Sequence, residues 1–210
     1  MKRAAPLLLV LLLAACGGGN GGKTTEAAKG SCSNATEQTH ERTMSNEHLK
    51  LDPNKMYRIV FETNCGTFTV TLDPKLAPNA TGSLVSLTKR GYFDDTFFHR
   101  IALGFVIQGG DPTGSGSGGP GYATHDKVPQ NASYVHGVVA MAKTGTDPAG
   151  TAGSQFFVVT AQDAQLQPDY AIVGKVTAGL DVVDRIGKLG NASEQPTRAV
   201  VISKVKVETS

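Results

Sequence analysis

Phe97-Phe98-His99-Arg100-Ile101-Ala102-Leu103-Gly104-Phe105-Val106-Ile107-Gln108-Gly109-Gly110-Asp111 carries the most information about how this chain folds. It is an apolar run broken by one cation, Arg100, and one amide, Gln108. It closes on two glycines and an aspartate, a turn signal. In strand period, Phe98, Arg100 and Ala102 share one face, and Phe97, His99 and Ile101 the other. After a turn at Leu103-Gly104, Phe105 and Ile107 alternate with Val106 and Gln108. Two strands are expected, over 97–101 and 105–108. A guanidinium set among Phe, Val and Leu is poorly solvated, so it must be paired or used. Taken alone, the stretch favours a structural arginine held by a carboxylate or by backbone carbonyls.

Working outward, the pattern of short strands continues on both sides. Upstream, residues 57–63 and 67–72 are rich in β-branched and aromatic residues, with Phe68, Val70 and Leu72 alternating with threonines. Asn64-Cys65-Gly66 joins them as a hairpin turn. Pro78-Asn79 opens a helix carrying Leu84, Val85 and Leu87. Lys89 and Arg90 suit its last turn, and Gly91 ends it. Downstream, a glycine-rich loop (Gly114, Gly116, Gly118, Gly119, Gly121) lacks the Lys-Ser/Thr and the following helix of a phosphate cradle, so its glycines are read as backbone freedom. Strands are expected over 137–142, 154–160, 170–176 and 200–207, with a loop over 143–153. A helix over 179–189 buries Val182, Val183 and Ile186. Many short strands with two helices suggest a closed or nearly closed β-barrel.

The 210 residues carry a formal charge of +2, with both signs interspersed, which gives no footprint for nucleic acid or a charged surface. Cys16, Cys32 and Cys65 show no metal-ligand spacing, so no metal site is expected. Lys2 and Arg3, the leucine-rich residues 7–13 and then Ala14-Ala15-Cys16 have the layout of a secretory signal peptide. The apolar stretch is shorter than the ~18 residues that span a bilayer. Leu13-Ala14-Ala15-Cys16 is similar to a bacterial lipobox, which implies cleavage before Cys16 and lipid on it. The expected organisation is therefore a signal peptide over 1–15, lipidated Cys16 with a flexible linker to residue 50, and one domain over 51–210. Cys32, in the linker, and Cys65, at the hairpin, are able to pair in an oxidising compartment or to stay free. Four Asn-x-Ser/Thr triplets, at Asn34, Asn79, Asn131 and Asn191, match the glycosylation pattern but arise often by chance.

From residue 57 to 207 the chain resembles the cyclophilin family of peptidyl-prolyl cis-trans isomerases. The resemblance rests on Phe98-His99-Arg100 through Phe105 to Gln108-Gly109-Gly110-Asp111, on residues 137–142, and on Gly153-Ser154-Gln155-Phe156-Phe157. Gly174-Lys175-Val176 and the segment 179–183 add to it. It implies a mainly β fold, a closed eight-stranded antiparallel barrel capped by two α-helices. It also implies a proline-peptide groove on an outer face. Carried over, Arg100 is the catalytic cation, acting with Gln108 and Phe105. Phe105, Val106, Phe157 and Leu166 form the proline pocket, and Gln108 and Gln155 bond the peptide or position Arg100. Ala142 and Lys143 present backbone groups. Rotating an X-Pro bond breaks no covalent bond, so no cofactor is expected.

Three positions depart from the common family pattern. Gln165 stands where tryptophan is frequent, which should weaken binding of cyclosporin-type macrocycles. Tyr170 stands where histidine is frequent and keeps an aromatic wall. Lys143 replaces a frequent asparagine and could favour acidic peptides. The expected function is X-Pro isomerisation in exported proteins, by a monomer lipid-anchored to the outside of a bacterial membrane. The competing reading is a non-catalytic proline-peptide binding module.

Overall fold

The structure, a computed structural model, describes Met1, residues 30–47 and residues 49–210. The segment expected to be a signal peptide, apart from Met1, and Cys16 with the glycine tether expected after it lie outside the described residues. The first hairpin forms as its alternation dictates. Strand β1 (Tyr57–Thr63) pairs antiparallel with β2 (Gly66–Leu72), which buries Phe68, Val70 and Leu72 while Thr69 and Thr71 stay half-exposed and Thr67 exposed. Helix α1 (Pro78–Lys89) starts on proline, which needs no N–H partner there. Its next two free N–H groups, on Asn79 and Ala80, donate to the buried carboxylate of Asp126 at 3.0 and 2.8 Å. A remote aspartate thus does what a local cap usually does.

The strand expected over 97–101 is two strands, β3 (Thr96–Phe97) and β4 (Arg100–Ala102). They are followed by β5 (Val106–Gly109), β6 (Thr124–His125), β7 (Val138–Met141), β8 (Thr151–Ala152), β9 (Phe156–Val159), β10 (Ile172–Ala178), helix α2 (Leu180–Gly187) and β11 (Val201–Thr209). The two-residue strands β6 and β8 pair only with each other. They are too short to leave a periodic signal, and β8 falls within the expected loop over 143–153.

The main sheet has nine strands in the order β3-β11-β1-β2-β10-β7-β9-β5-β4. It is a strongly curled open half-barrel, which corrects the expected closed eight-stranded barrel. The edge strands β3 and β4 follow one another along the chain with only Phe98 and His99 between them. Two residues running onward in the same sense cannot fold the strands into an antiparallel ladder. The same break shifts the strand period. Phe98 is buried in the main core with Ile101 and Ile107, instead of sharing a face with Arg100.

The segment expected to be a free linker is held against the domain from Cys32 onward. Cys32 and Cys65 form a disulfide. Beyond it, Asn64 Nδ2 donates to Ser33 O, and Arg42 Nη1 donates to the carbonyls of Tyr92 and Asp94, both at 2.7 Å. The N–H groups of His40 and Met44 donate to Pro112 O and Pro120 O, at the two ends of the glycine-rich loop. The reason for docking lies in α1, where residues 80–88 are all buried. A helix buried on every side needs a cover on its outer face too, here one of small Thr, Ser and Gly residues, and Leu49 N–H donates to Gly82 O on that face.

The disulfide spans 33 residues, a loop worth about 3–4 kcal/mol in chain-entropy terms. Replacing both cysteines by serine is therefore expected to lower Tm by roughly 6–12 °C. A thermal melt without reductant checks this, and an unchanged Tm would show that the strap is held by its other contacts alone.

Candidate active site

The site is built by strand register. On the outer face of four neighbouring strands, Arg100 of β4 lies opposite Gln108 of β5, Gln108 opposite Phe157 of β9, and Phe157 opposite Ala140 of β7. One row out, Ala102, Val106 and Val159 stand side by side. Alternate residues Ile101, Ile107, Phe156, Val158, Val139 and Met141 point inward to the main core. Residues up to 57 positions apart are thereby set in one line with no loop intervening.

A polar chain runs along this row. Arg100 Nη1 donates to Gln108 Oε1 at 3.1 Å, Gln108 Nε2 donates to Gln155 Oε1 at 3.0 Å, and Gln155 Nε2 donates to Gly116 O and Gly118 O, both at 2.9 Å. Its direction is fixed at both ends. A guanidinium only donates and a carbonyl only accepts, so turning either amide round would face donor to donor. On its other side Arg100 Nε donates to Glu194 Oε2 at 2.7 Å. Burial pushes the neighbouring His99 imidazole below its ordinary value, with Asp111 opposing and Arg100 adding. His99 therefore brings no second positive charge.

Beside the row lies a cavity of about 280 Å³ lined by Arg100, Phe105, Val106, Gln108, Ala142, Lys143, Phe157, Leu166 and Tyr170. Every residue expected to act at the proline pocket is in it except Gln155. The amide of Gln155 is engaged by the loop carbonyls and Gln108, which makes it a holder of Gln108. A second cavity, about 550 Å³, continues past Gln108, Ala142 and Lys143 under the glycine-rich loop. Ala142 N–H is already bonded to Gln155 O at 2.9 Å, so its carbonyl is the group it can offer a peptide.

Tyr170 stands edge-on to Phe157 with ring centroids 5.4 Å apart. Its backbone is clamped by buried Tyr134, whose hydroxyl donates to Tyr170 O at 2.8 Å and accepts from Tyr170 N at 3.0 Å. Burial pushes the Tyr134 phenol above its ordinary value, so the hydroxyl keeps its proton. The Lys143 side chain is held inside the protein. It is 3% exposed, with Nζ 2.6 Å from Asp169 Oδ2, bonded to Thr144 O and Asp147 O, and 5.5 Å above the Tyr170 ring. The ammonium braces the loop after β7 against the Tyr170 segment, and its charge is already paired instead of attracting acidic peptides. Gln165 is exposed, in the left-handed region at φ 52°, and does not line the cavity.

The glycine-rich loop does cradle an anion, but the anion is its own. The buried carboxylate of Asp111 accepts from Thr113 N and Oγ1 at 2.8 Å, from Gly116 N at 2.8 Å and from Gly118 N at 3.0 Å. A side chain at Gly118 would put Cβ 2.0 Å from Asp111 Oδ1, so only glycine admits the contact. Gly116 and Gly118 thus give their N–H groups to Asp111 and their carbonyls to Gln155. Asp111, Tyr134, Asp169 and Glu194 were not foreseen. Asp111 carried a usable signal, since a run of glycine N–H groups with no phosphate motif needs an internal acceptor. The other three lie in segments without periodicity.

A curled antiparallel sheet with two helices, bearing an arginine, two glutamines and an aromatic pocket on its outer face, defines a cyclophilin-type protein. Residues 58–207 match the family described as cyclophilin type peptidyl-prolyl cis-trans isomerase/CLD, and the chain belongs to that family. Among curated proteins it is 35% identical over 154 residues to the peptidyl-prolyl cis-trans isomerase CYP18-2 of Arabidopsis thaliana, covering 71% of this chain and 92% of that one. It is 38% identical over 151 residues to the mouse peptidyl-prolyl cis-trans isomerase-like 1, covering 70% and 89%. Among solved structures it is similar to a cyclophilin type peptidyl-prolyl cis-trans isomerase of Cryptosporidium parvum, crystallised in the presence of the dipeptide Ala-Pro. That match has a TM-score of 0.66 and 31% identity, and covers 72% of this chain and 98% of that one.

Proposed function

We propose that this protein accelerates X-Pro rotation in proteins exported from a bacterial cytoplasm, assisting their folding, as a monomer held to the membrane by lipid on Cys16. The observation that carries the catalytic part is Arg100, tethered through Gln108, at the wall of the apolar cavity. An X-Pro bond resists rotation by ~18–20 kcal/mol because amide resonance must be lost. In the twisted state the proline nitrogen turns pyramidal and gains a lone pair. A fixed cation facing that nitrogen stabilises the twisted state more than either planar isomer, which is catalysis by differential binding. Arginine suits this because it stays charged and offers a rigid fan of donors. Phe105, Val106, Phe157, Leu166 and Tyr170 hold the ring while the preceding carbonyl swings. The Ala-Pro dipeptide of the Cryptosporidium structure supports a proline-bearing peptide as the occupant.

Two features support export. The Cys32–Cys65 disulfide suits an oxidising compartment, and residues 1–16 have the layout of a lipoprotein leader. No helix among the described residues is long and apolar enough to cross a membrane. The proposal places attachment at Cys16, where several acyl chains make a stable anchor. Cells producing the full chain and fed labelled palmitate are expected to give a labelled, membrane-bound protein, and Cys16→Ser an unlabelled one. Equal labelling of the two would remove the anchor from the proposal.

A further inference from the structure

Glu194 stands out by its backbone before its side chain. Among the described residues it is one of three non-glycine residues in the left-handed region, at φ 60°, where a side chain crowds the following carbonyl. Strain of this kind persists only where the surroundings enforce it. They do so here through a tightly tied loop after α2. Asn191 Oδ1 accepts from Ser193 N at 2.9 Å and from Gln195 N at 3.0 Å, and Glu194 N donates to Asn191 O at 2.9 Å. The loop is fastened to β4 beside the catalytic row. Ile101 N donates to Glu194 O at 2.9 Å, and Gly190 packs so close that a Cβ there would lie 2.2 Å from Ile101 O. One residue thus holds two consecutive positions of β4, Ile101 through its carbonyl and Arg100 through its carboxylate at 2.7 Å.

The consequence is geometric. An arginine on a strand turns about several bonds, and one hydrogen bond to Gln108 leaves the guanidinium free to pivot. A second hold, on Nε, fixes the plane. The two bonds use two of its five N–H donors, and the rest remain for the cavity it lines. We propose that Glu194 is a positioning residue for Arg100, setting the guanidinium plane against the proline nitrogen. This rests on Arg100 being the catalytic cation. The pair is partly exposed, 32% for Arg100 and 48% for Glu194, so its effect belongs to orientation more than to stability.

The test compares Glu194→Ala, Glu194→Gln, Glu194→Gly and Arg100→Ala in the folded domain by kcat, KM and Tm on a short X-Pro peptide. Glu194→Ala is expected to lower kcat about five- to tenfold with KM within about twofold. Glu194→Gln keeps an oxygen for Nε and is expected to recover kcat to within about twofold of wild type. Glu194→Gly relieves the left-handed strain, so Tm should hold or rise while kcat falls as in Glu194→Ala. A kcat unchanged in both Glu194→Ala and Glu194→Gly, or falling only together with Tm, overturns the proposal. If Arg100→Ala itself retains wild-type kcat, the failure lies in the catalytic reading beneath it.

Discussion

Arg100→Ala is expected to lower kcat/KM for X-Pro isomerisation by about 100- to 1000-fold, the usual consequence of removing one preorganised donor from a site of developing charge. The loss should fall on kcat, because the apolar cavity that holds the ring is untouched. Tm should move by no more than about 1–2 °C, since the arginine's ion pair is partly exposed and worth little to folding. Arg100→Lys should recover only a small part of the activity. A lysine keeps the charge but cannot hold Gln108, Glu194 and the proline nitrogen from one rigid plane. The measurement is exchange between cis and trans peptide, followed without a coupled protease. Activity of Arg100→Ala within threefold of wild type would show that the pocket, not the cation, does the catalysis.

Asp111→Ala is expected to cost about 4 kcal/mol of stability and most of the activity. The carboxylate is buried and gathers hydrogen bonds from Thr113, Gly116 and Gly118, and removing it leaves all of these part-buried donors without their charged acceptor at once. Activity follows because the carbonyls of the same two glycines hold Gln155, and through it Gln108 and Arg100. Burial alone would push the Asp111 carboxyl up, but the bonds from Thr113, Gly118 and Gly116 outweigh it and hold the group below the ordinary 3.8. A depressed native pKa means that the unfolded chain binds the proton more tightly. The stability contributed by Asp111 is therefore full above the unfolded value and is lost as pH falls from about 4 through the lowered native value. Denaturant melts from pH 7 to pH 2 should show this loss in wild type and a shallower one in Asp111→Asn. Parallel profiles for the two proteins would count against it.

Much of this was legible along the chain because it depended on short-range pattern. The alternation of Phe68, Val70 and Leu72 gave β2. Proline and glycine gave the limits of α1, and the apolar runs around Phe157 and Val139 gave the strands that floor the site. Period failed where the chain turned a corner. Phe98 lies off the face of Arg100 because the residues between β3 and β4 join no ladder. The docking of the segment from Cys32 onward escapes the sequence for a related reason. Its own residues are polar, and the argument for docking it sits elsewhere, in a helix whose outer face is Thr, Ser and Gly and needs covering.

Residue types by themselves determined the chemistry available here. A guanidinium, two amides and an aromatic wall follow from Arg100, Gln108, Gln155 and Phe157 wherever a strand period puts them on one face, and the turn before β5 adds Phe105. Tertiary structure decided which groups hold them. Glu194 reaches Arg100 across 94 residues of chain, Asp169 pairs the ammonium of Lys143 across a loop, and Asp111 folds the glycine loop onto its own carboxylate. Such contacts depend on where distant loops are set down by the curl of the sheet, and a polar residue in an aperiodic loop looks the same in sequence whether it faces water or an arginine.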